Sequence, residues 1–226
     1  MSKRKPAKRP LSKATIALNT QLQRKHGVRE LANRFLIVCE DDKSAPNYFE
    51  ALKKHFNLSA ASIRVAGSGG NTQPVQVVQR AIEINVAASN ADSGTEPFQH
   101  VWCVLDGDCG DKINNARSKA DANGIKLAIS TMCFEYWILL HFEENSFSTL
   151  DCDEMVRTLR DKKKKYIPNY HKGKCDFQGI VTQVDQACLR AEKIRRPGIL
   201  RGDPPERQNP CSEVYLLIRA ILEDQK

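Results

Sequence analysis

The sequence predicts an α/β fold: a four-stranded parallel sheet with flanking helices, plus a C-terminal helical subdomain packed on it. Three observations predict it. Strand-like runs at 35–39, 62–66, 100–105 and 125–129 alternate with helical patterns at about 46–57, 74–88 and 111–122. The first run, and the third after His100, are apolar, as strands covered on both faces must be. The order strand, helix, strand, helix, strand, helix, strand selects right-handed crossovers and therefore parallel strands.

The first strand, Phe35-Leu36-Ile37-Val38-Cys39, runs into Glu40-Asp41-Asp42-Lys43-Ser44-Ala45-Pro46. Pro46 suits a first helical turn and Ser44 a cap. Tyr48, Phe49, Leu52 and Phe56 then form a stripe at helical spacing, which reads as core. Asp41 and Asp42 either cap this helix or add one ligand to a metal shell. The second strand leads to Gly67-Ser68-Gly69-Gly70-Asn71-Thr72 and a helix from Pro74. No Gly-Lys-Ser/Thr follows, so the loop is not a P-loop; it reads first as a turn and second as a phosphate contact. Residues 89–99 form a polar loop. The third strand ends in Asp106-Gly107-Asp108, with Asp111 close by. Asn123-Gly124 stops the next helix.

The fourth strand is followed by an apolar segment, Ser130 to Phe142, with Glu135 in the first turn of a helix and His141 further on. Glu135 has four roles open to it: metal ligand, partner of a base, cap, or ion pair. His141 reads as a structural histidine. Beyond 142, a helix over 151–165 buries Met155, Val156 and Leu159 and runs into Lys162–Lys165 and Tyr166; Tyr170, His171, Lys172 and Lys174 follow. Basic residues interleaved with tyrosines suit a single strand of nucleic acid, and a solvated helix end explains the Lys run nearly as well. A helix over 178–194 is expected to break at Arg195-Arg196-Pro197-Gly198, giving a polar loop through Arg207 that serves as a substrate-contacting lid. The last helix is expected from Asn209-Pro210, burying Val214, Leu217, Ile218 and Ile221.

Composition narrows the class. With 226 residues, 41% hydrophobic and 27% charged, the chain suits a soluble globular protein. It has no apolar stretch long enough for a bilayer and no signal-peptide core, so the expected compartment is cytoplasmic. The eight cysteines include no Cys-x-x-Cys pair, which disfavours zinc. The net charge of +8 divides unevenly: residues 1–34 carry ten Lys/Arg and one acid (+9), 35–156 nine and seventeen (−8), 157–226 sixteen and nine (+7). An acidic body between basic segments fits a nucleic-acid enzyme, with cations for phosphates and carboxylates for a metal. The domains expected are a basic, partly disordered segment 1–34, a catalytic domain 35–145 and the helical subdomain 146–226.

The chemistry concentrates at two strand ends. Parallel α/β sheets place ligands beyond the carboxyl ends of their strands. Glu40, Asp106 and Asp108 converge there if the first and third strands are neighbours, and Asp106 and Asp108, two apart on an extended chain, share one target. Such carboxylates repel one another unless a hard cation, Mg²⁺ or Mn²⁺, lies between them.

Ile-Val-Cys-Glu at 37–40, Asn47-Tyr48-Phe49, Trp102 to Asp108, Lys126 to Ser130 and Cys133-Phe134-Glu135 together resemble the RloB-like proteins, a prokaryotic defence-associated family with a Toprim-type catalytic domain. The likeness covers most of the chain. It implies a Toprim-like four-stranded core, Mg²⁺ bound by Glu40, Asp106 and Asp108, nuclease activity on DNA or RNA, tRNA included, and an effector role in antiviral defence by abortive infection. The partners it implies are nucleic acid, an AAA/ABC-type ATPase and a further copy of the chain as a homo-oligomer, with no membrane. Three positions depart from the family's pattern: Asp41 stands where Gly is usual, Ala45 where an acid is usual, and Asp111 where the wider Toprim pattern has Gly.

The expected mechanism is metal-assisted phosphodiester hydrolysis. Asp106 and Asp108 hold the metal, Glu40 shares it or acts as general base, and Glu135 is a further catalytic residue. Lys43 or Lys126 offsets charge on the phosphate, and Lys163, Lys164, Arg195 and Arg196 bind the substrate backbone. The alternative is a non-catalytic Toprim-like module that binds nucleic acid or a partner ATPase. Topoisomerase or primase chemistry is a more distant rival, since a topoisomerase needs a catalytic Tyr on additional domains.

Overall fold

The first strand, β1 (Phe35–Cys39), lies inside a five-stranded sheet of order β2-β1-β3-β4-β5, with β2 spanning Ile63–Gly67, β3 His100–Asp106, β4 Lys126–Thr131 and β5 Cys211–Ser212. This computed structural model describes residues 33–60, 62–70, 73–90, 97–107, 112–146 and 151–224. The basic segment 1–32, Asn71-Thr72, most of the polar stretch before β3, and residues 108–111 lie outside the described residues.

The sequence expects four parallel strands, and β1 to β4 are parallel. The fifth corrects that number. Cys211–Ser212 pairs antiparallel with Ser130 and Thr131 on the free edge of β4. Those residues were expected in the last helix, which instead spans Val214–Glu223. A two-residue strand has no periodicity to read; it exists because β4 offers an open edge.

Register fixes the site. Cys39 lies beside Val104, and Asp106 beside Ser130. The ends of β1, β3 and β4 therefore emerge on one edge. The helices are α1 (Ser44–His55), α2 (Pro74–Ser89), α3 (Lys112–Ala122), α4 (Phe134–Leu139), α5 (Cys152–Arg160), α6 (Val184–Arg201) and α7 (Val214–Glu223). Side-chain alternation along the strands builds two cores. Phe35, Ile37, Trp102, Val104 and Ala128 face α1, α4 and the C-terminal helices. Leu36, Val38, Val101, Cys103, Leu105 and Ile129 face α2 and α3. Residues Asn33–Lys226 form one compact unit, in which α5, α6 and α7 share the first core with the sheet.

Helix α6 departs from expectation. It runs through Pro197 to Arg201 and stops at Gly202, whose φ is +75°. Proline removes one helical hydrogen bond, but Ala187, Ala191, Arg195 and Gly198 keep the face buried on both sides of it. Packing overrides the local breaker. The segment after it, expected as a lid, is fastened down: Arg117 Nη2 lies 2.7 Å from Glu206 Oε2, and Thr131 Oγ1 donates to the Pro205 carbonyl at 3.3 Å. Among the described residues no helix is long and apolar enough to cross a membrane.

Candidate active site at the carboxyl edge of the sheet

A cleft of about 230 Å³ opens at the strand ends, lined by Glu40, Asp41, Asp42, Lys43, Ser68, Gly70, Asp106, Phe134, Glu135 and Lys172. Glu40 leaves β1 with its N–H donating to the Val104 carbonyl at 2.9 Å. Its carboxylate Oε2 accepts the Asp106 backbone N–H at 3.0 Å. Asp106 Oδ1 in turn accepts the Phe134 N–H at 3.0 Å, at the start of α4. Burial first, then the nearby Glu40 and Glu135 carboxylates, push the Asp106 carboxyl well above the usual carboxylate range.

Glu135 sits in the first turn of α4 and is 1% exposed. Its Oε1 accepts the Tyr170 hydroxyl at 2.7 Å and lies 3.3 Å from Lys172 Nζ. Ser44 Oγ is 3.5 Å from the same oxygen and 3.3 Å from the Tyr170 hydroxyl. A buried carboxylate is thus satisfied by an ammonium and hydroxyls.

The two acids after Glu40 are occupied locally. Asp41 accepts the N–H groups of Ser44 at 2.7 Å and Ala45 at 3.1 Å, which caps α1. Asp42 accepts the N–H groups of Gly69 at 3.0 Å and Gly70 at 2.9 Å. The amides of the glycine-rich loop therefore hold a carboxylate of the chain itself, not a phosphate. A Cβ on Gly67 would lie 2.0 Å from Asp42 Oδ1, so the close approach requires glycine there. Ser68 Oγ donates to the Glu40 carbonyl at 2.7 Å and ties this loop to β1.

The remaining expected residues scatter. Lys43 lines the cleft, its stem packed beside Gly173. Lys126 begins β4 at the opposite edge of the sheet, beside Trp102, with its ammonium 5.3 Å from that ring. It cannot face a phosphate held at Asp106, because the rise of the strand separates them. Lys164 lies 3.1 Å from Glu143, and the backbone N–H of exposed Lys163 donates to Asp161 at 2.8 Å. Arg195 is 7% exposed, bonds the Asp203 carbonyl and sits 3.7 Å from Glu213; it is a core residue, unable to contact a nucleic-acid backbone. Arg196 lies in a different groove, with Leu189, Ile199 and Tyr215. His141 is buried between Tyr48 and the Trp137 carbonyl, each 3.0 Å away. Asp108 falls outside the described residues.

Sequence reasoning missed Lys172 and Tyr170 as partners of Glu135. It grouped them in a basic segment for gripping a strand, and only the need of a buried Glu135 for donors pointed towards them. Ser44, expected only as a cap, is buried against Glu135 and Tyr170, and Ser68 fixes the wall of the cleft.

The donor chemistry fits a hard divalent cation. Glu40 and Asp106 supply anionic oxygens on adjoining strands, as such a cation requires. Among the described residues no group of three or more His, Cys, Asp or Glu side chains is assembled to hold a metal ion. Comparison with curated proteins and with solved structures gives no match. Residues 35–221 match the family model of the RloB-like proteins, and the chain belongs to that family.

Proposed function

We propose that this protein is a metal-dependent nuclease of Toprim type, using Mg²⁺ or Mn²⁺ to hydrolyse phosphodiester bonds of DNA or RNA, as an effector of antiviral defence. One observation carries the reading. A half-buried Asp106 and a neighbouring Glu40 share the carboxyl edge of a parallel sheet, in a cleft that also holds two lysines. Glu40, Asp106 and Asp108 would hold the cation; when bound, it supplies Lewis-acid activation of the phosphate and of the attacking water. The chain's own groups do the rest. The Phe134 N–H fixes the Asp106 carboxylate, the Asp106 N–H fixes Glu40, and Asp41 and Asp42 anchor the loops on either side. In this reading Glu40 shares the cation or accepts a proton from the attacking water.

The test is a cleavage assay with supercoiled plasmid, single-stranded DNA and total tRNA, in Mg²⁺, Mn²⁺ or EDTA. Metal-dependent cutting by the wild type that is absent from Asp106→Ala is the expected result. Equal cutting by both proteins would sink the reading. A second reading is a Toprim-like scaffold that binds nucleic acid or a partner ATPase without cutting. It draws on Glu135, whose carboxylate is already engaged by Tyr170 and Lys172. Calorimetry separates the two, since only the nuclease requires Mn²⁺ binding that depends on Glu40.

A further inference from the structure

We propose that Lys172 supplies the cationic group that meets the phosphate in this cleft, and that Tyr170 is a positioning residue that sets it through Glu135. The inference rests on the nuclease reading and names the residue that completes it. A phosphodiester entering a cleft of carboxylates needs positive charge besides the metal. Lys126 is at the wrong edge of the sheet. Lys43 is exposed, with its stem against Gly173. Lys172 is exposed too, its side chain 50%, but its ammonium meets the Glu135 side chain, which is 2% exposed. Its ammonium therefore crosses from solvent to the floor of the cleft.

The geometry argues against plain charge neutralisation. Glu135 already has hydroxyl donors in Tyr170 and Ser44. An ammonium has three donors, and one carboxylate oxygen engages one of them. The remainder are available to a phosphate oxygen. The backbone that presents Lys172 is also held. Arg160 Nε donates to the Tyr170 carbonyl at 2.7 Å, and Asn47 Nδ2 to the Gly173 carbonyl at 3.3 Å. The Lys174 N–H closes the turn onto the His171 carbonyl at 3.0 Å, and Gly173 takes φ of +82°. A cation on a braced turn, aimed at a buried acid, is preorganised rather than free surface charge.

Removing this cation has opposite effects on the two ligands. Without Lys172 a divalent cation meets less repulsion, whereas a phosphate loses its partner. A purely structural lysine would weaken both together. The experiment compares the full chain with Lys172→Met, Lys172→Arg, Tyr170→Phe and a control, Lys193→Met, whose lysine pairs with Glu144 on the exposed surface. Three quantities are read: Mn²⁺ affinity by calorimetry, affinity for a fluorescein-labelled oligonucleotide in Ca²⁺, and the single-turnover cleavage rate in Mn²⁺. Lys172→Met should bind Mn²⁺ at least as tightly as wild type, bind the oligonucleotide at least tenfold more weakly, and cut about a hundredfold more slowly. Lys172→Arg should recover most of the oligonucleotide affinity. Tyr170→Phe should show a smaller loss in the same two readouts, and Lys193→Met should match wild type. Oligonucleotide affinity of Lys172→Met within threefold of wild type overturns the proposal, and so does weakened Mn²⁺ binding. If the wild type binds Mn²⁺ and cuts nothing, the affinity arm decides alone. A wild type that neither binds Mn²⁺ nor cuts removes the nuclease reading and this inference with it.

Discussion

The backbone N–H of Asp106 donates to the Glu40 carboxylate at 3.0 Å, so the end of one strand orients the acid at the end of its neighbour. The bond makes the two acids one unit. It also keeps two carboxylates close in a half-buried place, and desolvation first, then the Glu40 charge, raises the Asp106 carboxyl. Asp106→Asn keeps an oxygen for the Phe134 N–H and removes one charge. The metal-free variant should be as stable as wild type or more so, by up to about 1 kcal/mol, while its Mn²⁺ affinity falls at least tenfold. Urea denaturation and calorimetry check the two halves. A destabilised variant with unchanged Mn²⁺ affinity would contradict the arrangement.

Asp42 and Gly67 should be energetically coupled. A Cβ at 67 collides with the Asp42 carboxylate, so Gly67→Ala forces that side chain off the amides of Gly69 and Gly70. The expected cost is about 2 kcal/mol, from two lost charge-assisted hydrogen bonds and local strain. In the Asp42→Ala background the same substitution should cost far less. A double-mutant cycle by urea denaturation measures the difference, and additive effects would refute the coupling.

The strands bearing Glu40 and Asp106 were legible because their residues are apolar on both faces, a pattern few other elements share. The acids at their ends follow from strand length alone. Three features were not legible, each for a physical reason. Cys211–Ser212 is a strand only because β4 has an open edge. Pro197 stays in a helix because residues on both sides of it are buried. The pairing of Glu135 with Lys172 depends on how the C-terminal segment folds back over the sheet edge, and no local periodicity encodes it.

Arg195 illustrates the limit of reading charge as interface. It is buried, 3.7 Å from Glu213, and Nη1 donates to the Asp203 carbonyl at 3.0 Å. Arg195→Met should destabilise the fold by about 3 kcal/mol, because it takes the nearest cation from the buried Glu213 carboxylate and leaves only the weaker influence of Arg117. Nucleic-acid affinity of the folded fraction should be unchanged. Chemical denaturation with oligonucleotide titration at a temperature where the variant is folded checks both, and a stable variant with lost affinity would restore Arg195 to the interface.

His141 should make the fold acid-sensitive. Burial, the largest effect, lowers its pKa to about 4, outweighing the hydrogen bonds to Trp137 and Ile138 that favour the charged form. In the unfolded chain a histidine titrates near 6.5. The unfolded state therefore binds the extra proton first as pH falls, and stability drops between about pH 6.5 and pH 4. The full span of that shift corresponds to roughly 3 kcal/mol, absent at pH 7 where the side chain is neutral in both states. The acids raised by burial, Asp41, Asp106 and Glu213, act in the opposite direction, so wild type alone does not isolate the histidine. His141→Gln does. It keeps a polar side chain towards Tyr48 without titrating, and it should be less stable than wild type at pH 7 through poorer packing. The gap should narrow or reverse by pH 4.5. Urea denaturation of both proteins at the two pH values measures it, and a gap independent of pH would show that His141 is not held neutral in the fold.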